Sequence, residues 1–229
     1  GHCELVLDEI FGPVNAAQRD SLARARAGAQ HLSILLQDVV AYQRLATGAE
    51  TVQWEPCVLD DILDGVVADV APMLAKKGLV FTRVPPQTRL TLVTDPGKFR
   101  QVVTNVLANA VKFTGRDAED GPGRVTLETD VEGAHAANAM GAAGGWLRLA
   151  VHDTGPGIAP EVQGRLFDGF WQLDQRYTRK VDGLGIGLSV AKQLAQLLGG
   201  DVFVARSAPG EGSTFVVRLP LHPPSGARA

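Results

Sequence analysis

The sequence predicts an α+β protein in which a helical hairpin precedes a sandwich of helices and strands. Between Leu22 and Val39, apolar residues recur at alternating spacings of three and four, which is the seam of a helix that packs against another helix. Residues 50–222 mix amphipathic helices with strand-like runs and show no strict alternation of strand and helix. That mixture favours a sandwich of the α+β class over a fully parallel α/β sheet.

The composition is that of an ordinary globular chain. Of its 229 residues, 45% are hydrophobic and 21% are charged, which is enough apolar content for one good core. The net charge of -3 offers no basic surface, so we expect no nucleic-acid partner. Cys3 and Cys57 lack metal-binding spacing and fit a reducing compartment. No apolar run reaches the roughly 20 residues of a membrane span. We therefore expect a cytoplasmic location, which includes the cytoplasmic part of a membrane-bound protein.

Residues 1–49 predict the helical hairpin. Residues 4–8 have the pattern of a helix end, and the turn FGPVN at 11–15 places Asn15 where it can cap the second helix. A single helix with an apolar seam needs a partner, so we expect a homodimeric bundle. A coiled-coil linker is the alternative that periodicity leaves open. The seam residues are Leu22, Ala25, Ala29, Leu32, Leu36 and Val39.

The elements of residues 50–222 follow from side-chain period and turn signals. An Ala/Gly-rich stretch before Trp146 predicts a mobile loop, and residues 223–229 predict a disordered tail. Helices are predicted over 59–77, 98–113 and 184–198. Strands are predicted over 51–54, 79–84, 90–94, 124–131, 146–153, 201–205 and 213–219.

The predicted helix over 98–113 carries polar residues on one stripe. Asn105 and Asn109 are four residues apart, and Lys112 follows three residues later. Amide oxygens and a cation on one stripe suit a Mg²⁺-bound polyphosphate. An ordinary amphipathic helix with its polar face in solvent is the alternative interpretation.

Two glycine-containing segments follow. In the first, an apolar strand ends at Asp153 and is followed by Gly155 and Gly157; a carboxylate there can accept a hydrogen bond from an exocyclic amine, although a tight turn would have the same pattern. In the second, residues 182–189 (DGLGIGLS) open a helix, where main-chain amides can bind phosphate. This segment follows no predicted strand and lacks the lysine of a P-loop, which counts against both common nucleotide loops.

In order, these segments resemble the Asn box and the two glycine boxes of the catalytic domain of sensor histidine kinases. LFDGF at 166–170 resembles the phenylalanine box, residues 174–181 resemble the ATP lid, and residues 199–215 resemble the closing strands. The beginning of the chain resembles the second half of the dimerisation and phosphotransfer hairpin. The resemblance implies the two-layer α/β sandwich of the gyrase, histidine-kinase and MutL ATPases. It also implies ATP and Mg²⁺ as ligands, a homodimer through the hairpin, and a response-regulator receiver domain as partner.

The resemblance also implies residue roles. Asp153 contacts the adenine amine, Asn109 binds Mg²⁺, and either Ser213 or Thr214 supports the adenine site. Gln172 departs from the family, because several members have a phosphate-contacting arginine there. The other implied nucleotide-binding residues are Asn105, Lys112, Phe113, Gly155, Gly157, Gly183, Gly185, Gly187 and Leu188, with Arg179 and Lys180 in the lid.

The residue at position 105 separates subclasses of this superfamily. Hydrolytic relatives carry a glutamate there, which acts as general base for water, whereas Asn105 cannot take a proton. An ATP site without such a base suits phosphoryl transfer to another nucleophile, which in this family is a histidine. A serine kinase or ATPase of the same fold is the alternative that Asn105 and the hairpin disfavour.

We expect that the phosphoacceptor is none of the five histidines. The family motif resembles His-Glu-Leu-Arg-Thr-Pro-Leu on the first hairpin helix, and His2 lacks its Arg-Thr-Pro portion. The predicted position is about three helical turns before Gly1. His31 lies on the second helix, and strand alternation turns His152 away from Asp153. A docking scaffold for a response regulator, with a degenerate ATP site, therefore remains the alternative function.

Overall fold

The computed structural model describes residues 2–48, 50–115, 121–133, 145–171 and 184–224. The helices of this part are α1 (His2–Leu7), α2 (Ala16–Ala46), α3 (Leu59–Lys77), α4 (Pro96–Phe113), α5 (Pro160–Gln163) and α6 (Gly187–Leu197). The strands are β1 (Glu55–Val58), β2 (Val80–Val84), β3 (Thr91–Thr94), β4 (Arg124–Glu132), β5 (Trp146–Asp153), β6 (Asp201–Ser207) and β7 (Ser213–Pro220). Most of the predicted loop before Trp146 and most of the predicted tail lie outside the described residues.

A five-stranded sheet and three helices form the two layers. The strand order is β2-β4-β5-β7-β6, with β2 parallel to β4 and the other neighbours antiparallel. Alternate residues of β4, β5 and β7 are buried and form one core with the apolar faces of α3, α4 and α6. The predicted α+β sandwich is therefore confirmed.

Helix α4 is the central helix of its layer, because it contacts both α3 and α6. The side chain of Asp95 caps its first turn by accepting a hydrogen bond of 3.0 Å from the Lys98 amide. Pro96 occupies the first helical position, where its missing N–H costs nothing. The apolar face of α4 is fully buried, so its polar stripe is held in a fixed direction.

Helix α2 begins with a capping box between Asn15 and Gln18. Apolar residues in the second half of α2 have two different environments. Val39, Tyr42 and Leu45 pack against the core of the sandwich. Leu32, Leu36 and Val40 are exposed by 58%, 58% and 50%. Val39, the last residue of the predicted seam, therefore contacts the sandwich, whereas Leu32 and Leu36 of that seam remain exposed.

Two other elements begin more than two residues from their predicted positions, and one short helix was not predicted. The first strand is Glu55–Val58, paired antiparallel with β3, rather than residues 51–54. Val52 and Trp54 contact the core outside any strand, which explains why that segment is apolar. Helix α6 begins at Gly187 rather than at residue 184, because the glycine-rich turn precedes it. The short helix α5 was not predicted, since four residues are too few to show a helical period.

Among the described helices, none combines the length and the apolar composition that a membrane span needs.

Candidate nucleotide-binding site

Asp153 is the last residue of β5 and lies between two neighbouring strands, opposite Val125 of β4 and Ser213 of β7. Its Oδ1 accepts a hydrogen bond of 2.8 Å from the Gly155 amide, and the Ser213 amide also donates to the carboxylate. The side chain is only 9% exposed. Burial raises the pKa of Asp153 to about 6, although the two amides and His152 oppose that shift. The result is a buried hydrogen-bond acceptor at the end of the central strand of the sheet.

The glycines beside Asp153 allow chain segments to approach closely. Gly157 has a φ of +68°, and a Cβ there would lie 1.8 Å from the carbonyl oxygen of Ala208. Gly212 has a φ of +77°, and a Cβ there would lie 2.0 Å from the carbonyl oxygen of Asp153. At least these two glycines are therefore required by the fold itself, in addition to any ligand.

One wall of the site is formed by Asp153, Gly155, Gly157 and Ser213. Ser207 supports this wall, and the sequence did not predict its role. Its hydroxyl accepts a hydrogen bond of 2.8 Å from the Ile158 amide and donates one of 3.0 Å to the carbonyl oxygen of Gly212. It also lies 3.0 Å from the hydroxyl of Ser213. Ser207 thus fastens the turn after Asp153 to the start of β7. A serine at a strand end gives no sequence signal for such a role.

The structure distinguishes Ser213 from Thr214. Ser213 is buried on the side of the sheet that faces the helices, next to Asp153. Thr214 points to the opposite face, where its hydroxyl lies 3.0 Å from Nδ1 of His152. Nε2 of the same histidine lies 3.1 Å from the carboxylate of Glu128. His152 therefore faces away from Asp153, as strand alternation predicted, and Thr214 is not grouped with the buried carboxylate.

Helix α4 connects this wall to the glycine segment that opens α6. The side-chain amide of Asn105 donates a hydrogen bond of 3.1 Å to the carbonyl oxygen of Gly187. At the other end of the helix, a Cβ on Gly155 would lie 3.2 Å from the carbonyl oxygen of Phe113. Lys112 lies with its ammonium 5.6 Å from the centre of the Phe113 ring. The predicted Asn box thus touches both glycine boxes.

The start of α6 offers main-chain amides. Gly185 has a φ of +73°, and Ile186, whose side chain cannot form a hydrogen bond, is the N-cap. Gly187 and Leu188 form the first turn, and Ser189 donates its hydroxyl to the Ile186 oxygen at 2.7 Å. Such an uncapped helix start suits a phosphate group. The predicted site residues Arg179, Lys180 and Gly183, and also Gln172, lie outside the described residues.

The chemistry of the donors limits how a metal ion is held. Within the described ranges, no group of three or more His, Cys, Asp or Glu side chains is placed to hold a metal ion. The half-buried Asn109 offers one amide oxygen on the polar stripe of α4. A Mg²⁺ ion that keeps several waters and is shared with phosphate oxygens fits one such ligand, because Mg²⁺ dehydrates reluctantly.

The sequence matches a known family and named relatives. Residues 94–223 match histidine kinase-, DNA gyrase B- and HSP90-like ATPases. A sensor-like histidine kinase of Rhizobium meliloti (strain 1021) is 31% identical over 221 residues, which cover 96% of this chain and 39% of that protein. The sensor protein GacS of Pseudomonas syringae pv. syringae is 32% identical over 205 residues, which cover 89% of this chain and 21% of that protein. The chain thus spans less than half the length of these relatives.

Solved structures show the same fold. Full-length ShkA in complex with AMPPNP superposes with a TM-score of 0.72 and 28% identity, covering 96% of this chain and 42% of ShkA. The Acinetobacter baumannii histidine kinase AdeS superposes with a TM-score of 0.64 at 19% identity, covering 95% of this chain and 90% of AdeS. Since the family match covers more than half of the 229 residues, the chain belongs to the histidine kinase-, DNA gyrase B- and HSP90-like ATPase family, and its named relatives are sensor histidine kinases.

Proposed function

We propose that this chain is the ATP-binding catalytic core of a sensor histidine kinase. It transfers the γ-phosphoryl group of Mg-ATP to a histidine, from which the group passes to an aspartate of a response-regulator receiver domain. The observation that carries the proposal is the buried carboxylate of Asp153 beside an Asn box that touches both glycine segments. The complex of the related ShkA with AMPPNP, an ATP analogue, supports a nucleotide as ligand.

Each part of the site has a defined task. Asp153 accepts a hydrogen bond from the exocyclic amine of adenine, and its burial makes that bond strong and selective. The amides at the start of α6 bind phosphate oxygens, and Lys112 at the end of α4 adds a positive charge. Asn109 provides the protein oxygen for Mg²⁺, which neutralises charge on the phosphates when it is bound.

The side chain at position 105 favours transfer over hydrolysis. Its amide donates to the carbonyl oxygen of Gly187, and an amide cannot remove a proton from water. A neutral imidazole nitrogen needs no such base, because its lone pair attacks phosphorus directly. The new N–P bond forms as the bond to the β,γ-bridging oxygen breaks, and ADP leaves.

The helical hairpin, residues 1–49, supplies the dimer contact in this proposal, and residues 50–222 form the catalytic domain. Leu32, Leu36 and Val40 form an exposed apolar stripe on α2. A stripe of this kind on one helix is buried when a second copy packs against it. The other apolar face of α2 rests on the sandwich, so one helix can serve both contacts.

Nucleotide binding is the direct test. Isothermal titration calorimetry of the whole chain with Mg-ATP should give saturable binding, which Asp153→Ala abolishes. Asp130→Ala is the matched control, because Asp130 is an exposed carboxylate on the neighbouring strand β4. A wild-type chain that binds no nucleotide would refute the proposal and favour a docking scaffold. Equal loss in both variants would assign the effect to net charge rather than to the site.

A further inference from the structure

Lys77, the last residue of α3, reaches across to the carboxyl end of α4. Its half-buried ammonium donates hydrogen bonds of 3.0 Å to the carbonyl oxygens of Val111 and Thr114. It also donates a short hydrogen bond to the carbonyl oxygen of Lys112. A lysine ammonium has three N–H groups, so each of them has a main-chain acceptor here.

Two of these bonds satisfy carbonyl groups at the end of the helix. The last four carbonyl groups of an α-helix have no partner within it. At the end of α4, the Ala110 oxygen accepts both the amide and the hydroxyl of Thr114, at 3.0 and 2.7 Å. Lys77 binds the next two carbonyl groups. A cation at this position is also favourable because the carboxyl end of a helix carries partial negative charge.

The environment of Lys77 shows that the contact is more than a surface ion. Burial lowers the pKa of the Lys77 ammonium from its usual value, which means that charge is held there at a cost. Three carbonyl acceptors offset that cost. The contact joins residues 34 to 37 positions apart, so it fixes α4 relative to α3 rather than within one helix.

The turn that Lys77 holds belongs to the nucleotide site. It carries Lys112 and Phe113, and the carbonyl oxygen of Phe113 lies against Gly155 in the wall beside Asp153. The segment that follows this turn is closely packed, since a Cβ on Gly123 would lie 2.2 Å from the carbonyl oxygen of Gly115. A displaced last turn would therefore move groups that face the nucleotide.

We propose that Lys77 is a positioning residue for nucleotide binding, which holds the last turn of α4, and with it Lys112 and Phe113, in the geometry that the bound nucleotide requires. This inference rests on the proposed ATP site. Lys77 itself contacts main-chain oxygens and acts on the nucleotide only through the residues of that turn.

The test compares Lys77→Met with Lys76→Met, which removes the exposed neighbouring ammonium at the end of the same helix. Calorimetric titration with Mg-ATP is done at a temperature at which unfolding curves show both variants to be folded. Lys77→Met should raise the Kd by about tenfold, whereas Lys76→Met should leave it within about twofold. An unchanged Kd in folded Lys77→Met, with normal wild-type binding, overturns the inference and leaves the proposed function standing. Failure of the wild-type chain to bind overturns both.

A double-mutant cycle separates positioning from general stabilisation. If Lys77 acts through the turn that carries Lys112, the losses of Lys77→Met and Lys112→Met should be less than additive in the combined variant. Additive losses would contradict action through that turn. Lys77→Gln retains a hydrogen-bond donor and serves as the second variant should Lys77→Met fold poorly. Without ligand, the Thr114 amide should exchange hydrogen faster in Lys77→Met than in wild type, and equal exchange counts against the inference.

Discussion

The side-chain amide of Asn105 binds the carbonyl oxygen of Gly187 at 3.1 Å and so ties the middle of α4 to the first turn of α6. The two residues are 82 positions apart. Asn109, one helical turn later on α4, is also half-buried on the same stripe. The two asparagines of the box therefore have different tasks: Asn105 fixes the glycine segment, and Asn109 remains the proposed metal ligand.

This division of tasks predicts different effects of two alanine substitutions. Asn105→Ala should lower the free energy of unfolding by about 1 kcal/mol, because one part-buried hydrogen bond is lost. It should weaken nucleotide binding with and without Mg²⁺ to a similar extent. Asn109→Ala should change stability little and abolish the effect of Mg²⁺ on binding. Urea unfolding and titrations with Mg²⁺ or EDTA measure both quantities. The assignment fails if the two variants exchange these behaviours.

Asp153 predicts an unusual dependence of stability on pH. Its folded-state pKa of about 6 lies above the value near 3.9 of an unfolded chain, so the folded state holds the proton more tightly. Its contribution to the free energy of unfolding therefore decreases as pH rises from about 4 to 6. Asp153→Asn removes the ionisable group, and with it the unfavourable burial of a negative charge at the higher pH. The stability of that variant relative to wild type should rise by about 2 kcal/mol between pH 4.5 and 7.5.

Urea unfolding of both proteins at the two pH values measures that difference. Asp130→Asn, on the exposed part of β4, controls for the general effect of losing a carboxylate. A relative stability that falls with pH would mean that the Asp153 carboxylate is stabilised by its amide donors rather than penalised by burial. The same variant should lose Mg-ATP binding at both pH values.

Three glycine-to-alanine substitutions should destabilise the chain to different extents, depending on φ and on the space for a Cβ. Gly157→Ala combines a positive φ with a Cβ placed 1.8 Å from the Ala208 oxygen, so it should destabilise the chain by about 2 kcal/mol or more. Gly210 has a φ of +82° in open space, and its alanine variant should cost about 1 kcal/mol. Gly164→Ala has neither problem and should stay within about 0.5 kcal/mol. Equal thermal unfolding of all three variants would contradict the close approach at Gly157.

The exposed stripe on α2 predicts self-association. Leu32→Glu should shift the chain toward monomer, because it places an unpaired charge in the proposed helix contact. Ala27→Glu adds the same charge at an exposed position on the opposite side of α2 and should have little effect. Sedimentation equilibrium over a range of concentrations measures the association. A wild-type chain that remains monomeric at high concentration would contradict the dimer.

Local patterns in the sequence predicted much of the fold. The helix over 59–77 and the strand over 146–153 were predicted with their observed ends, because side-chain period and flanking turns are local properties. The apolar pattern also located Asp153 at a strand end. By contrast, helical period alone cannot predict that Val39 of α2 packs against the sandwich while Val40 is exposed. That difference depends on where the sandwich lies.

Residues that support the site were harder to predict. Ser207 and Lys77 act through main-chain groups on distant segments, and any serine or lysine can make such bonds. Gly155 and Gly157 were predicted as nucleotide-binding residues. The structure adds a second reason for Gly157, which is the carbonyl group of Ala208 beside it. A close approach between two segments leaves no periodic signal in either of them.

The last prediction concerns phosphoryl transfer. Incubated with radiolabelled Mg-ATP, this chain should label none of its own histidines, because transfer needs an imidazole in line with the γ-phosphate. His152 is hydrogen-bonded to Thr214 and Glu128 on the face of the sheet opposite Asp153, so it cannot take that position.

A separate helical segment carrying His-Glu-Leu-Arg-Thr-Pro-Leu, supplied in trans, should instead receive an acid-labile, base-stable label, and Asp153→Ala should abolish that label. His2→Ala is the decisive variant for self-labelling. An acid-labile label on the wild-type chain that disappears in His2→Ala would make His2 the acceptor and contradict the expectation that none of the five histidines is phosphorylated.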